Sequence, residues 1–313
     1  MHLLRLERQS TVRVKILGSA AGGGVPQWNC DCCNCVAARS GAGPRRLVAS
    51  LAVCAHDDRW VLVNASCDVG VQINETRELQ PRASRSSPIV ALLLTDANID
   101  HTAGILEFRQ ADTFSIHSTT VVKQTLCKYP MFSQFEGNHK QWHAFESGIR
   151  VRLQLPEAPQ LSVYAIAVPG LLPSYAGAAR TDGAAVAYIF EHEGKKVVYA
   201  PIFLTVNDSL RREIELADAV LLDGTCWSDD EMIELGLGAR TSRAMGHAPI
   251  DGPDGSLQIA SDLRARQRYY THINNSNPIL DPASAEAQQL RDAGLAVASD
   301  GLELELDGDT THI

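Results

Sequence analysis

A cluster of polar side chains that could bind a metal ion follows an apolar segment near residue 95. Residues 89–94 are all apolar and predict a buried strand. Asp96, Asn98, Asp100 and His101 come directly after it. A helix N-terminus would explain one acidic residue, because a carboxylate caps free N–H groups there. The cluster exceeds what a cap needs, so we interpret it as a metal site at a strand end, where α/β sheets usually bind their ligands.

Three cysteines have the spacing of a zinc site. Cys30, Cys32 and Cys35 form a C-x-C-x-x-C pattern. A tight turn can direct three such thiolates at one tetrahedral Zn²⁺, at Zn–S distances of about 2.3 Å. The alternative is a reduced, exposed cysteine cluster, which we favour less because exposed thiols oxidise readily. We therefore predict a structural zinc knot within residues 18–40, whose fourth ligand the spacing does not indicate.

Further candidate ligands occur at later strand ends and loops. Asp223 ends the apolar run 219–222, His247 lies in a loop bounded by Gly and Pro, and His272 follows the predicted strand near residue 270. A single histidine is more often a structural residue than a ligand. Strand ends on one rim of a sandwich converge, however, so we expect these three residues to share a cleft with Asp100 and His101.

Composition excludes several classes of partner. The chain has 28 Lys and Arg against 37 Asp and Glu, a net charge of −9, and no basic stripe, so nucleic acid is not an expected partner. The first ten residues are too charged for a signal peptide, and no segment approaches the roughly 18 apolar residues of a membrane span. We expect a cytoplasmic protein whose eight cysteines are metal ligands and free thiols rather than disulfides.

The elements that must position these residues form two strand-rich halves, each followed by helices. Predicted strands cover 12–17, 50–64 (as a hairpin) and 89–94 in the first half, and 150–155, 161–168, 184–190, 196–200 and 219–223 in the second. Two sheets packed face to face, with helices outside, would bury both apolar faces. No clear linker divides the chain, so we predict one domain over residues 1–313.

Two segments between these elements have no periodic pattern. The glycine run 18–26 lacks the spacing of a phosphate-binding loop, and we expect its backbone to pass close to a site or another segment. Residues 129–148 are aromatic and polar, with Phe132, Phe135 and Trp142 among them. They could form an inserted lid over a substrate, or an ordered surface loop, which is the commoner case.

The order of these motifs resembles the metallo-β-lactamase fold, whose signature is His-x-His-x-Asp-His followed by a later Asp and a terminal His. Here the signature stands as Asp96-x-Asn98-x-Asp100-His101, so both histidines of its first half are replaced. The resemblance implies an α/β fold, specifically a four-layer αββα sandwich.

More narrowly, the chain resembles the PqqB family of pyrroloquinoline quinone biosynthesis. The resemblance rests on the glycine run with Pro26-Gln-Trp-Asn-Cys, on Asp223-Gly-Thr and Met245-Gly-His, and on His272-Ile-Asn-Asn-Ser. It implies an Fe(II)-dependent oxygenase that uses O₂ to hydroxylate the ring of a tyrosine cross-linked to glutamate, a small substrate cut from a precursor peptide.

The same resemblance implies roles for the candidate residues. Asp100, His101 and His272 would hold Fe(II) beside open positions, with Asp96 as a further ligand. Asp223 and His247 would be catalytic groups that handle protons. The three cysteines would hold structural zinc; related phosphodiesterases complete such a knot with a histidine where this chain has Asn275, so the fourth ligand stays open.

Two other functions remain open. The first is a carrier for the quinone or its precursor, and the second is a metal-dependent hydrolase with a degenerate zinc site. Asn98, Cys67 and Cys226 depart from what we expect of the PqqB family, and this would suit a paralogue that acts on another peptide-derived phenol. A homodimer is compatible with the sequence.

Overall fold

The computed structural model describes residues 11–55, 58–111, 114–136 and 140–307. Within these residues, seven strands form a first sheet in the order β14-β1-β2-β3-β4-β5-β6. They are β1 (Thr11–Gly18), β2 (Ser50–Cys54), β3 (Trp60–Val63), β4 (Ile89–Leu93), β5 (Phe114–Thr119), β6 (Lys140–Phe145) and β14 (Glu303–Asp307). Strands β14 to β3 pair antiparallel, and β3 to β6 pair parallel.

Seven more strands in the described part of the chain form a second sheet, in the order β13-β12-β11-β10-β9-β8-β7. They are β7 (Val151–Leu153), β8 (Ser162–Val168), β9 (Ala185–His192), β10 (Lys195–Ala200), β11 (Ala219–Asp223), β12 (Gln267–Thr271) and β13 (Ala296–Val297). Strands β7 to β10 pair antiparallel, and β10 to β13 pair parallel. The carboxyl ends of the parallel strands point to one rim of each sheet.

The helices are short and follow the strands. They are α1 (Cys33–Ser40), α2 (Val69–Glu75), α3 (Ile99–Thr102), α4 (Thr120–Cys127), α5 (Pro130–Ser133), α6 (Asp208–Glu215), α7 (Glu231–Glu234), α8 (Ser242–Met245), α9 (Ser256–Ser261) and α10 (Ala285–Asp292). Turns of 3₁₀ helix cover Arg77–Leu79, Ala103–Gln110, Gln134–Glu136, Ser174–Ala176 and Pro278–Leu280. Among the residues described, no helix is both long and apolar enough to cross a membrane.

Three hydrophobic clusters separate the layers. The central cluster lies between the two sheets and includes Val14 of β1 and Tyr188 of β9. A second cluster packs α4, through Val122, on the outer face of the first sheet. A third packs α6 and α10 on the outer face of the second sheet, with Ile214 and Leu290 buried in it. Four layers therefore follow in the order αββα, as the resemblance implied.

Residues 140–145 of the segment 129–148 form a regular strand, which the sequence did not predict. Strand β6 continues the first sheet and pairs with β5 residue for residue. Trp142 is buried and donates a hydrogen bond to Ser118 Oγ at 2.9 Å, whereas Gln141 and His143 are exposed. An edge strand has one face in water, so its mixed aromatic and polar composition obscured it in the sequence. Residues 137–139 lie outside the described residues.

Candidate metal centre

The rim where parallel strands of both sheets end carries the predicted ligands. Asp100 and His101 lie in α3, shortly after β4, while Asp223 ends β11 and His272 follows β12. His247 follows α8 and Gly246, which has the positive φ of 107° that ends that helix. The structure thus brings together the five side chains that the sequence predicted to share a cleft.

Three of these side chains direct one ligand atom each toward a common point. The ligand atoms of Asp100, His101 and His272 lie within 4.8 Å of one another. His272 Nε2 is 3.4 Å and His101 Nε2 is 4.0 Å from Asp100 Oδ2. His101 Nε2 is buried and has no hydrogen-bond partner among the described residues. A buried polar atom without a partner is costly, so this nitrogen is suited to binding a metal ion.

Asp96, which the resemblance implied as a further ligand, contacts His101, and its role as a ligand stays a prediction. Its Oδ2 lies 2.6 Å from His101 Nδ1, and its Oδ1 accepts hydrogen bonds from the backbone and side-chain nitrogens of Asn98, both at 2.8 Å. Both carboxylate oxygens are thereby engaged. A carboxylate on the far nitrogen of a ligating imidazole fixes its tautomer and ring orientation.

Asp223 contacts His247 in the way that Asp96 contacts His101. Thr225 connects Asp223 to His272. Asp223 Oδ2 lies 2.7 Å from His247 Nδ1, and Oδ1 accepts a hydrogen bond from Thr225 Oγ1 at 2.6 Å. Thr225 has a single hydroxyl proton, so its oxygen accepts the hydrogen bond from His272 Nδ1, 2.8 Å away. Asp223, His247 and His272 are also close enough to hold an ion, but Asp223 already contacts His247 Nδ1, and His272 Nδ1 already contacts Thr225.

Buried charges favour a cation at this point. Burial disfavours a proton on His101, but the carboxylates of Asp96 and Asp100 outweigh burial and raise its pKa to about 9. Burial also disfavours a charged Asp100, and the neighbouring histidines outweigh it and hold the pKa of that carboxyl well below its usual range. A divalent cation would replace the proton that these carboxylates hold on His101.

The backbone around the site is tightly constrained. His272 has a positive φ of 55°, which is uncommon for a residue with a side chain. Hydrogen bonds from Ala21 N to Ile273 O and from Ile273 N to Ser19 O, both 2.9 Å, hold it to the glycine run. A Cβ atom at Gly22 would lie 3.0 Å from Asp100 Oδ2. The glycine run therefore passes close to the site, as predicted.

A cavity of about 480 Å³ opens at the metal-binding side chains. Its lining includes Asp100, His247 and His272, together with Cys67 and Arg240, which no motif in the sequence had placed there. A larger cavity of about 970 Å³ lies beside Leu79 and Phe108, and none of its lining residues belongs to the metal-binding groups. The smaller cavity is the candidate substrate site, because the chemistry lies there.

The cysteine knot contains the three predicted sulfurs, and the side-chain amide of Asn275 lies beside them. Cys30, Cys32 and Cys35 form one metal-binding group. The Asn275 side-chain nitrogen lies 3.0 Å from Cys30 Sγ and 3.4 Å from the other two sulfurs. The neighbouring Cys33 is exposed and outside this group, and all eight cysteines are free thiols. An amide side chain has two ends, and turning it would bring its oxygen to the fourth position.

Similarity to known proteins agrees with the fold and the motifs. The family described as "Beta-lactamase superfamily domain" matches residues 59–273. Coenzyme PQQ synthesis protein B of Rhizobium meliloti (strain 1021) is 38% identical over 96% of this chain and 100% of its own length. The protein of the same name from Xanthomonas euvesicatoria pv. vesicatoria (strain 85-10) is 36% identical over 94% of this chain and 100% of its own.

Solved structures give the same result for the fold. The crystal structure of Zn²⁺-bound PqqB from Methylobacterium extorquens superimposes with a TM-score of 0.88 at 36% identity, covering 94% of this chain and 100% of that one. The crystal structure of a diphosphatase of the PhnP family superimposes with a TM-score of 0.67 at 21% identity, covering 95% of this chain and 98% of that one. At this identity the similarity concerns the fold alone. The predicted α/β sandwich of the metallo-β-lactamase type is confirmed.

Proposed function

The chain belongs to the coenzyme PQQ synthesis protein B family of the β-lactamase superfamily, and from that premise we propose that it acts in pyrroloquinoline quinone biosynthesis as an Fe(II)-dependent oxygenase. Its substrate would be a tyrosine cross-linked to glutamate. One oxygen atom of O₂ would enter the ring, and two electrons from an external organic reductant, with two protons, would convert the other oxygen atom to water. The observation that carries the proposal is the group of Asp100, His101 and His272, in which the buried His101 Nε2 has no partner among the described residues.

The donor set supports iron chemistry over zinc hydrolysis. Two imidazoles and one carboxylate, with open positions, suit a non-haem Fe(II) ion that activates oxygen. A hydrolytic two-metal site would need a second complete set of ligands about 3.5–4 Å away. Here Asp96 and Asn98 replace the two histidines of such a set, and Asp96 is already engaged with His101.

His247 and Asp223 supply proton handling in this proposal. Asp223 holds His247 Nδ1, which leaves Nε2 as the nitrogen available to a molecule in the cavity. Burial disfavours a proton on His247, but Asp223 outweighs it and raises the pKa of the imidazole. We assign His247 Nε2 to accept the phenolic proton of the substrate, and we assign Asp223 to position that ring.

The test is oxygen uptake by protein purified anaerobically and loaded with iron. Native protein should bind one iron per active site and consume O₂ when offered the cross-linked glutamate–tyrosine compound together with ascorbate as the two-electron reductant. His272→Ala should lose both properties. His143→Ala is the matched control, because His143 is exposed on the edge strand β6, and it should retain both.

The two alternatives give different outcomes in the same experiment. A hydrolase would turn over esters or phosphodiesters with zinc and would gain nothing from iron. A carrier would bind the quinone tightly with no turnover. Oxygen uptake that stays at background with every tyrosine-derived compound would rule out the oxygenase.

We also propose that the protein works in the cytoplasm on a small, peptide-derived substrate, with no nucleic-acid or membrane partner. The eight free cysteines, three of them grouped for a metal, suit a reducing compartment. A homodimer stays a prediction.

A further inference from the structure

Apolar side chains form part of the wall of the cavity beside the metal-binding residues. Ile99, Met232 and Met245 line it, and Ile99 is 63% exposed. Methionine side chains adapt their shape and make favourable contacts between sulfur and aromatic rings. This wall therefore suits a flat, apolar group such as a phenol ring.

One positively charged side chain, that of Arg240, lines the same cavity and has no partner among the described residues. Arg240 is the only lysine or arginine among the lining residues described, and it makes no hydrogen bond or ion pair with the rest of the described chain. Its neighbour Arg243 differs, because it donates a hydrogen bond to Pro253 O at 2.7 Å and lies 3.8 Å from an Asp229 oxygen. The five N–H donors of the Arg240 guanidinium are thus available to a ligand.

The segment that carries Arg240 is anchored at both ends. Glu231 is buried and accepts hydrogen bonds from Trp227 N and Ser276 Oγ, both at 2.6 Å. At the other end, Ser242 N donates to Asp229 O at 2.7 Å. Asn274 Nδ2 lies 3.1 Å from Met232 Sδ, which ties the segment to the chain that follows His272. The segment that carries the exposed Arg240 is therefore held at residues on both sides of it.

The lining of the cavity carries both signs of charge. Asp100 and Arg240 both line it, and Asp96 and Asp223 are buried carboxylates of the same metal-binding rim. These carboxylates alone would repel an anionic substrate, so the Arg240 guanidinium is the group that could attract one.

We propose that Arg240 binds a carboxylate of the substrate and so directs the phenol ring, along the methionine wall, toward Asp100, His101 and His272. The proposal rests on the function proposed above and assigns the residue that recognises a carboxylate of that substrate. Arginine suits this role because its planar fork matches a carboxylate in a bidentate contact.

The test compares a charged and a neutral probe of the same shape. N-acetyl-L-tyrosine and N-acetyl-L-tyrosinamide differ only in the carboxylate, and calorimetry on the anaerobic, iron-loaded protein measures binding without turnover. Arg240→Gln should weaken binding of the acid by about tenfold, the loss expected for one charge-assisted hydrogen bond. The amide should bind native protein and Arg240→Gln equally.

Two further variants complete the design. Arg240→Lys keeps the charge without the fork and should retain part of the preference for the acid. Arg211→Gln is the matched control, since Arg211 is exposed on α6 away from the cavity, and it should bind both probes as native protein does.

The proposal is overturned if the acid and the amide bind native protein equally, if neither binds, or if Arg240→Gln leaves the acid unaffected. Because binding is measured without oxygen, these outcomes are independent of whether the protein proves to be an oxygenase.

Discussion

At the scale of single residues, the candidate metal site depends on which nitrogen of each imidazole is available to a metal ion. His101 and His272 both direct Nε2 inward, and each holds its Nδ1 against a polar partner, Asp96 for the first and Thr225 for the second. These partners contact the far nitrogen of each ring and so set its tautomer and its angle. Changes to these partners should therefore alter metal affinity without removing a ligand.

Asp96→Asn tests this role directly. The amide cannot supply the negative charge that stabilises the His101 ring, so we expect affinity for the active-site metal to fall roughly 10- to 100-fold. Competition with a chelator measures that affinity for Fe(II) or Co(II). Zinc in the cysteine knot should remain at the native level.

Asp254→Asn is the control for that experiment. Asp254 is exposed and has a positive φ of 58°, a conformation that asparagine also adopts readily. It should bind metal as the native protein does. Native affinity in Asp96→Asn would mean that Asp96 does not orient His101 in the bound state.

At the scale of elements, the cysteine knot supports the active site. Helix α1 is fastened to the segment after His272, because Asn34 Nδ2 donates to Asn275 O at 2.9 Å and to Asn277 O at 3.0 Å. Cys32 Sγ lies 3.3 Å from the same Asn275 carbonyl. The short segment 272–277 thus connects both metal-binding groups. Loss of order in the knot should therefore also loosen the position of His272.

Cys30→Ser tests whether the cysteine knot contributes both to iron binding at His272 and to the stability of the fold. We expect loss of one zinc per chain, weaker iron binding at His272, and a lower free energy of unfolding. If zinc is present at 100 times its Kd, that loss is about 2.7 kcal/mol. Metal analysis and thermal unfolding measure these effects.

Cys33→Ser provides the matched control, because Cys33 is exposed beside the knot and outside the group of three sulfurs. It should keep its zinc and its stability. Equal zinc loss in both variants would contradict the assignment of ligands.

A second element-scale feature is a histidine pair on the neighbouring strands β5 and β6. His117 of β5 stacks on His143 of β6 with ring centroids 4.8 Å apart. Burial lowers the pKa of His117 to about 4 from an ordinary value of 6.5, and the neighbouring His143 adds to the effect. Between pH 6.5 and about 4 the unfolded chain therefore binds a proton that the folded chain does not.

The protein should accordingly lose stability as the pH falls through that range, by on the order of 3 kcal/mol from this group. His117→Gln removes the titration and should flatten the pH dependence, as measured by urea unfolding at pH 7 and pH 5. His143→Gln removes only the smaller cause of the lowered His117 pKa, the neighbouring imidazole. It should therefore leave most of the loss of stability between pH 7 and pH 5. An unchanged slope in His117→Gln would contradict the assignment.

At the scale of the whole molecule, the sequence predicted the elements better than the contacts between them. Alternating or continuous apolar runs predicted β1, β4 and β8 because burial on a sheet face leaves that pattern. The edge strand β6 was missed because its exposed face breaks the pattern. The contact between Asp100 and His272, 172 residues apart, leaves no local signal and was predicted from strand ends and from the resemblance.

Some of the site could not be predicted from residue types at all. Thr225 follows Asp223-Gly in a motif that the resemblance included, but nothing in its spacing indicates a bridge between two histidines. Asn275 was left open as a fourth group of the knot for the same reason. Their roles appear only when segments distant in sequence are brought together.

The two halves of the molecule meet directly behind the metal-binding loop. Val186 N of β9 donates to Thr95 O at 2.8 Å, and Tyr188 Oη donates to Leu94 O at 2.8 Å. Asp100 and His101 come from the first half, and His272 comes from the second. A bound ion would therefore connect the two sheets, and it can bind with full affinity only when they are packed together.

Metal binding should for this reason stabilise the whole fold. A ligand that binds only the folded state at 100 times its Kd adds about 2.7 kcal/mol to the free energy of unfolding. Anaerobic thermal unfolding with and without Fe(II) should show a single transition that moves to higher temperature with the metal. In His272→Ala, Fe(II) should produce no such shift, although the knot keeps its zinc. If Fe(II) raised the unfolding temperature of native protein and His272→Ala equally, the ion would be binding elsewhere, and the site shared between the two halves would have to be abandoned.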